Sequence, residues 1–162
     1  MRWTVVDSPI GELSVAVDDV GVCGVHFGPV EAAVEAADAV HDPRLAAVTA
    51  ELRAYFAGES TGFTVPLSVR RGSEFERAVW RQMTLIPYGE TRTYGDVAKA
   101  VGDPGAARAV GVACNRNPIP VIVPCHRIVG AGGKLVGFGG GLPRKVQLLE
   151  LEARVALQRA WS

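Results

Sequence analysis

Polar and apolar positions follow two rhythms along the chain. Residues 3–17 and 20–27, WTVVDSPIGELSVAV and VGVCGVHF, are dense in β-branched residues and predict strands, with Ser8-Pro9-Ile10-Gly11 as a turn signal. Val30 to about Val40 is rich in Ala and Glu. From Asp42 to Phe56 apolar residues recur at helical spacing, and Gly58 closes that helix. Phe63–Val69 predicts a further short strand.

Beyond residue 70 the helical period dominates. Ser73 with Glu76 forms a capping box opening a helix to about Leu85, and Ile86-Pro87-Tyr88-Gly89-Glu90 breaks it. Thr93 with Asp96 is a second capping box, for a short helix to Val101. Gly102-Asp103-Pro104 then turns the chain into a helix from Gly105 to about Asn115. Two short helices joined by a tight turn are the helix-turn-helix pattern. A glycine-rich stretch at 130–141 precedes a last helix, with Pro143 as its first residue, running toward Arg159. The expected architecture is an α/β N-terminal domain (1–69, a small sheet with helices). A mainly α, winged-helix-like C-terminal domain (70–162) follows, carrying the helix-turn-helix.

Helical geometry adds two details. If Val110 and Ala106 face the core, Arg108 projects outward among the small residues Gly105 and Gly111, with Val112. That face suits either close approach to a partner's shallow groove or a solvated arginine. On the last helix, with Leu148 at zero and about 100° per residue, Leu149, Leu151, Val155 and Ala156 share one arc. Glu152 falls inside it, at about 40°, whereas Glu150 lies opposite with Arg154. A carboxylate on an apolar stripe needs a partner, either an imidazole or a basic residue such as Arg127.

Composition narrows the function classes. The chain has 162 residues, 48% of them hydrophobic, which excludes a disordered or collagen-like chain. No apolar run reaches membrane-spanning length, and MRWTVVDSPIG lacks the apolar core of a signal peptide. Cys23, Cys114 and Cys125 have no CxxC spacing and predict free thiols in a reducing cytoplasm. Cys23 and His26 read as packing residues, and no metal site is expected. Zero formal net charge hides an asymmetry: residues 1–69 carry three basic against ten acidic side chains, and residues 70–162 carry 14 against seven. Arginine excess on the second half suits phosphate and base contacts, or two oppositely charged solvated faces.

The chemistry concentrates in PIPVIVPCHRIV, residues 118–129. Cys125 is followed directly by His126 and Arg127; cationic and imidazole neighbours lower a thiol pKa, so the cluster reads either as a nucleophilic thiolate or as a structural Cys-His pair.

PCHRIVG after NP-x-P, the preceding IPYGETRTYGDVA and the helix GAARAVG together resemble the O6-alkylguanine-DNA alkyltransferases, the methylated-DNA–protein-cysteine methyltransferases. DSPIG and AYFAGE extend the likeness into the first half. The resemblance implies irreversible, single-turnover transfer of an alkyl group, chiefly methyl, from O6-alkylguanine in double-stranded DNA to the protein's own cysteine. By similarity Cys125 is the acceptor, His126 takes its proton through a water, and Glu152 orients the imidazole. Tyr94 helps turn out the damaged nucleotide and donates toward guanine. Arg108 fills the gap in the base stack, with Ala106 and Gly111 beside it on the DNA-binding helix. Asn117 ties that helix to the active-site segment. Val123, Phe138 and Gly139 line the base pocket, where Phe138 stands in place of a frequent tyrosine, a change that suggests room for larger alkyl groups. No cofactor is implied. Minor-groove binding, a monomer in solution and cooperative assembly on DNA are expected, and no membrane partner. Rival readings are a non-catalytic lesion binder, a cysteine hydrolase and a helix-turn-helix regulator.

Overall fold

The computed structural model describes residues 1–35 and 42–162, which fall into two compact units, Met1–Arg70 and Arg71–Ser162. In the first, β1 (Arg2–Val6), β2 (Leu13–Val17) and β3 (Val22–Phe27) form an antiparallel sheet in that order. The Ser8–Gly11 turn closes with a Gly11 N–H to Ser8 carbonyl bond of 3.0 Å. β2 is central and buried along its whole length, so even Ser14 is inside. Its hydroxyl is satisfied by donating to the Gly28 carbonyl (2.8 Å) and accepting from Val30 N–H (2.9 Å).

Helix α1 (Glu31–Glu35) and helix α2 (Pro43–Phe56) pack on this sheet. The expected continuation of α1 toward Val40 lies outside the described residues. Asp42 caps α2 by accepting from Arg44 N–H at 2.7 Å, and Leu45, Val48, Leu52 and Tyr55 form its buried stripe.

The strand expected at Phe63–Val69 does not form. That segment runs beside β3 with one isolated bridge, Val22 to Leu67. Pro66 lies in its middle and has no N–H to give a ladder. The segment is instead fastened by Asp18, whose carboxylate accepts from the Ser68 hydroxyl and the Arg70 guanidinium, both at 2.6 Å. These bonds and the loop amides of Val20 and Gly21 hold the Asp18 carboxyl well below the usual carboxylate range.

The second unit is mainly helical. Both capping boxes are present, Ser73/Glu76 on α3 (Glu74–Thr84) and Thr93/Asp96 on α4 (Tyr94–Ala100). Helix α4 ends in a Schellman motif: Gly102 N–H bonds Lys99 O (3.0 Å), and Asp103 N–H bonds Ala98 O (2.9 Å). Gly102 supplies the required positive φ of 86°. A second turn, Ala106 N–H to Asp103 O, follows before α5 (Ala107–Asn115) begins. The inter-helix connection is therefore longer than the tight turn read from the sequence. α5 starts two residues later than Gly105, and Ala106 caps it without a side-chain acceptor.

Helices α3, α4 and α5 pack on one another through Val79, Trp80, Met83, Val97, Val110 and Ala113. Trp80 Nε1–H donates to the Ala113 carbonyl at 2.8 Å inside this core. Trp80→Phe loses that bond and part of a buried ring, so it should cost about 1–3 kcal/mol in urea denaturation.

The chain then makes a 3₁₀ turn at Cys125–Arg127 and a two-residue parallel pairing of β4 (Arg92–Thr93) with β5 (Ile128–Val129). It ends in α6 (Leu142–Ala160), with Pro143 in its first turn. No described helix is long and apolar enough to cross a membrane.

Candidate active site

Buried residues 119–129 carry Cys125 between α5 and α6. Asn117 braces this stretch: its side-chain amide donates to the Val123 carbonyl (2.8 Å), and its carbonyl accepts from Ile119 N–H (2.9 Å). Between these two bonds Val121 sits at φ 73°, a costly conformation for a β-branched residue that the bracing holds in place. Pro124 then leads into the turn that places Cys125, His126 and Arg127 in the interior.

Helix α6 brings Glu152 to the same place. The wheel reading holds, since Glu152 is 1% exposed among Leu148, Leu151 and Val155. The two partners weighed from the sequence are not alternatives, because both are present. His126 Nε2–H donates to Glu152 Oε2 at 2.7 Å, while Arg127 Nε and Nη2 donate to Oε1 (2.8 Å) and Oε2 (3.0 Å). Gly89 N–H adds a fourth bond, 3.1 Å to Oε1. Gly89 has φ 80°, and a Cβ there would stand 3.0 Å from the Ala156 methyl, so glycine is what lets this loop reach the carboxylate. An ionised carboxylate only accepts, so Nε2 carries the imidazole proton and Nδ1 presents the lone pair. Nδ1 is buried and has no hydrogen-bond partner among the described residues.

The thiol departs from the sequence expectation. Its pKa is not lowered: burial pushes Cys125 up to about 11 despite the Asn117 hydrogen bond and the Lys145 charge, which pull the other way. Desolvation of an anion outweighs its cationic neighbours here. Cys125 therefore rests as a thiol and needs a base to become a nucleophile. His126 is suited to that, because burial holds its pKa below the ordinary value even with Glu152 beside it, leaving the ring neutral.

The remaining sequence candidates fall in two places. Tyr94 opens α4, with its ring against Gly111 on α5 and its hydroxyl donating to the Val136 carbonyl at 3.1 Å. Burial raises its pKa, and the tyrosine remains a donor. Gly111 thus serves as the seat of Tyr94, whereas Arg108, Ala109 and Val112 are exposed on α5 and Ala106 is half-buried. Val123 is buried within residues 119–129, Phe138 is half-buried in the glycine-rich loop, and exposed Gly139 lies close to the Asn115 carbonyl. Arg108 is on the outer face of α5, separate from the Cys125–His126–Glu152 cluster.

Sequence reasoning missed Lys145. It is 1% exposed, and its ammonium donates to the Ile128 (2.6 Å), Val136 and Gly137 carbonyls (both 3.2 Å), tying α6 to β5 and to the glycine-rich loop. The signal was available: the wheel that singled out Glu152 puts Lys145 near 60° on the same stripe. Among the described residues no cluster of His, Cys, Asp and Glu is arranged to hold a metal.

Comparison with known proteins covers nearly the whole chain. The family model for the 6-O-methylguanine DNA methyltransferase DNA-binding domain matches residues 74–154, and that for the ribonuclease-like domain of the same proteins matches 1–69. The chain is 49% identical to the methylated-DNA–protein-cysteine methyltransferase of Mycolicibacterium paratuberculosis, over 95% of this chain and 93% of that protein. It is 46% identical to the one from Methanosarcina acetivorans, over 94% and 98%. The crystal structure of Mycobacterium tuberculosis OGT in complex with DNA superposes with a TM-score of 0.84 at 45% identity, covering 96% of this chain and 94% of that one.

Proposed function

This chain belongs to the 6-O-methylguanine DNA methyltransferase family, and from that premise we propose which of its residues perform the repair. It is a methylated-DNA–protein-cysteine methyltransferase that moves the alkyl group of O6-alkylguanine in DNA to one of its own cysteines.

Cys125 is the acceptor. His126 Nδ1, through a bridging water, takes the thiol proton. The sulfur then attacks the alkyl carbon in line, the S–C bond forms as the C–O6 bond breaks, and the electron pair leaves on the guanine oxygen. Tyr94 exchanges its Val136 acceptor for the extruded base and delivers hydrogen-bond character to the departing purine. Val123, Phe138 and the backbone at Gly139 wall the base. The observation that carries this reading is the buried chain from the Cys125 turn through His126 to Glu152, with a free lone pair at Nδ1.

The DNA face is α5. Arg108 projects from a surface of small residues that fits the minor groove, and it fills the space the extruded base vacates. Asn117 joins that helix to the reactive segment. A monomer in solution that assembles cooperatively along DNA, acting in the cytoplasm, completes the reading; three free thiols fit a reducing compartment.

Incubation with a duplex bearing O6-methylguanine, followed by peptide mass analysis, tests it. One methyl per molecule on the Cys125 peptide is the expected result, and continued turnover or an unmodified thiol sinks it. Arg108→Ala should slow transfer from the duplex roughly 10- to 100-fold, because the cost of extrusion is no longer offset. Transfer from free O6-benzylguanine, which needs no extrusion, should change far less.

A further inference from the structure

We propose that Arg127 is a positioning residue that sets the basicity of His126 through the carboxylate they share. The inference rests on the reading of His126 as the proton acceptor.

Both oxygens of Glu152 are committed. Oε1 accepts from Arg127 Nε and Gly89 N–H, and Oε2 from Arg127 Nη2 and His126 Nε2. The guanidinium is fixed independently of the carboxylate, by Nη1 donating to the Ile86 carbonyl at 2.8 Å and by the Tyr88 ring, whose centroid lies 5.6 Å from Cζ. Arginine does not lose its proton in a protein, so this buried pair is permanent and close to neutral as a unit.

A carboxylate serving the imidazole alone, at 2.7 Å in a dry interior, would strongly favour the imidazolium. A protonated His126 cannot take a proton from Cys125. With Arg127 forked onto the same carboxylate, Glu152 still fixes the ring and its tautomer, but much of its charge is already compensated. The ring stays neutral at rest and gains the proton only transiently.

The other groups facing this cluster do not substitute for Arg127. Lys145 on α6 is cationic and pushes in the same direction, but its ammonium is held on the Ile128, Val136 and Gly137 carbonyls. Cys125 and Cys114, both held protonated by burial, and Tyr88, whose hydroxyl stays protonated beside Glu152, are neutral.

Nitrogen NMR of the imidazoles in the full chain, without DNA, tests this independently of transfer. His126 in the unaltered protein should titrate below 6.5. Arg127→Gln, which keeps donors but loses the charge, should move that midpoint up by about one pH unit. Arg127→Lys, which keeps the charge, should leave it near its original position. The acid limb of transfer rate against pH should move with it in Arg127→Gln. A midpoint at or above 6.5 in the unaltered protein overturns the proposal, and that measurement requires no variant to fold. An unmoved or lowered midpoint in Arg127→Gln overturns it as well. Absence of transfer by the unaltered protein, with the imidazole titrating as described, would refute the functional reading and leave the tuning supported.

Discussion

Cys125→Ala yields a protein that still folds and binds a lesion-bearing duplex but accepts no alkyl group: that is the largest effect expected of any single substitution here. Transfer needs a nucleophile whose lone pair can reach the alkyl carbon in line, and the other thiols offer no replacement. Cys114 is buried and pushed up to about 12, with no imidazole among the described residues bonded to it, and burial also raises Cys23, in the first unit. A serine at 125 should not rescue the reaction, because a hydroxyl is a far weaker acid than a thiol and its oxygen a far weaker nucleophile than sulfur toward an alkyl carbon. The fold should tolerate the change. Removing one sulfur from a side chain 6% exposed deletes little buried volume, at a cost of about 1 kcal/mol. Intact-mass analysis after exposure to O6-methylguanine duplex checks the first expectation, and fluorescence anisotropy with the same duplex checks the second. Undiminished methylation of Cys125→Ala would remove the thiol from the centre of the mechanism.

Much of this arrangement was legible in the residues, for reasons that differ from place to place. Capping boxes are local, so Ser73/Glu76 and Thr93/Asp96 announced α3 and α4 without tertiary information. The inward position of Glu152 followed from periodicity alone, since a fixed angle per residue places a side chain relative to its own helix. What periodicity does not give is the neighbour across the gap. Periodicity therefore leaves Glu152 between His126 and Arg127, and only packing reveals that four donors converge on it. Lys145 was overlooked because a lysine is ordinarily a surface residue, although its stripe position marked it as inward. Phe63–Val69 misled because β-rich composition does not register that Pro66 removes a ladder donor. The resting state of the thiol is not legible for an energetic reason: sequence shows which charges stand beside Cys125 but not how dry the site is, and here desolvation dominates. The difference matters for the proposed mechanism, in which a resting thiol makes His126 indispensable and a resting thiolate would have made it secondary.

Glu152→Gln separates these roles. The amide is nearly isosteric and keeps a carbonyl oxygen for one of the donors from Arg127, His126 or Gly89, but it carries no charge. It cannot stabilise the imidazolium that forms when Cys125 loses its proton, and its NH₂ group meets the Arg127 guanidinium donor to donor. Transfer should slow by about 10²–10³-fold, within the range associated with a lost general-base contribution. Stability should fall by about 3–5 kcal/mol, because a buried guanidinium at 7% exposure is left uncompensated. The pH dependence has a definite sign. Glu152 raises the His126 pKa, so its neutralisation lowers that pKa further and moves the acid limb of the rate profile to lower pH. Arg127→Gln is expected to move the same limb upward, and opposite displacements from two partners of one carboxylate are hard to obtain from general loosening of the fold. Duplex binding, proposed to rest on α5 and not on the charge of Glu152, should persist below the lowered melting temperature. Single-turnover rates across pH, thermal melts and anisotropy on the same preparation decide it. Lost binding in a folded Glu152→Gln protein would mean that the carboxylate supports the DNA face and not the proton acceptor.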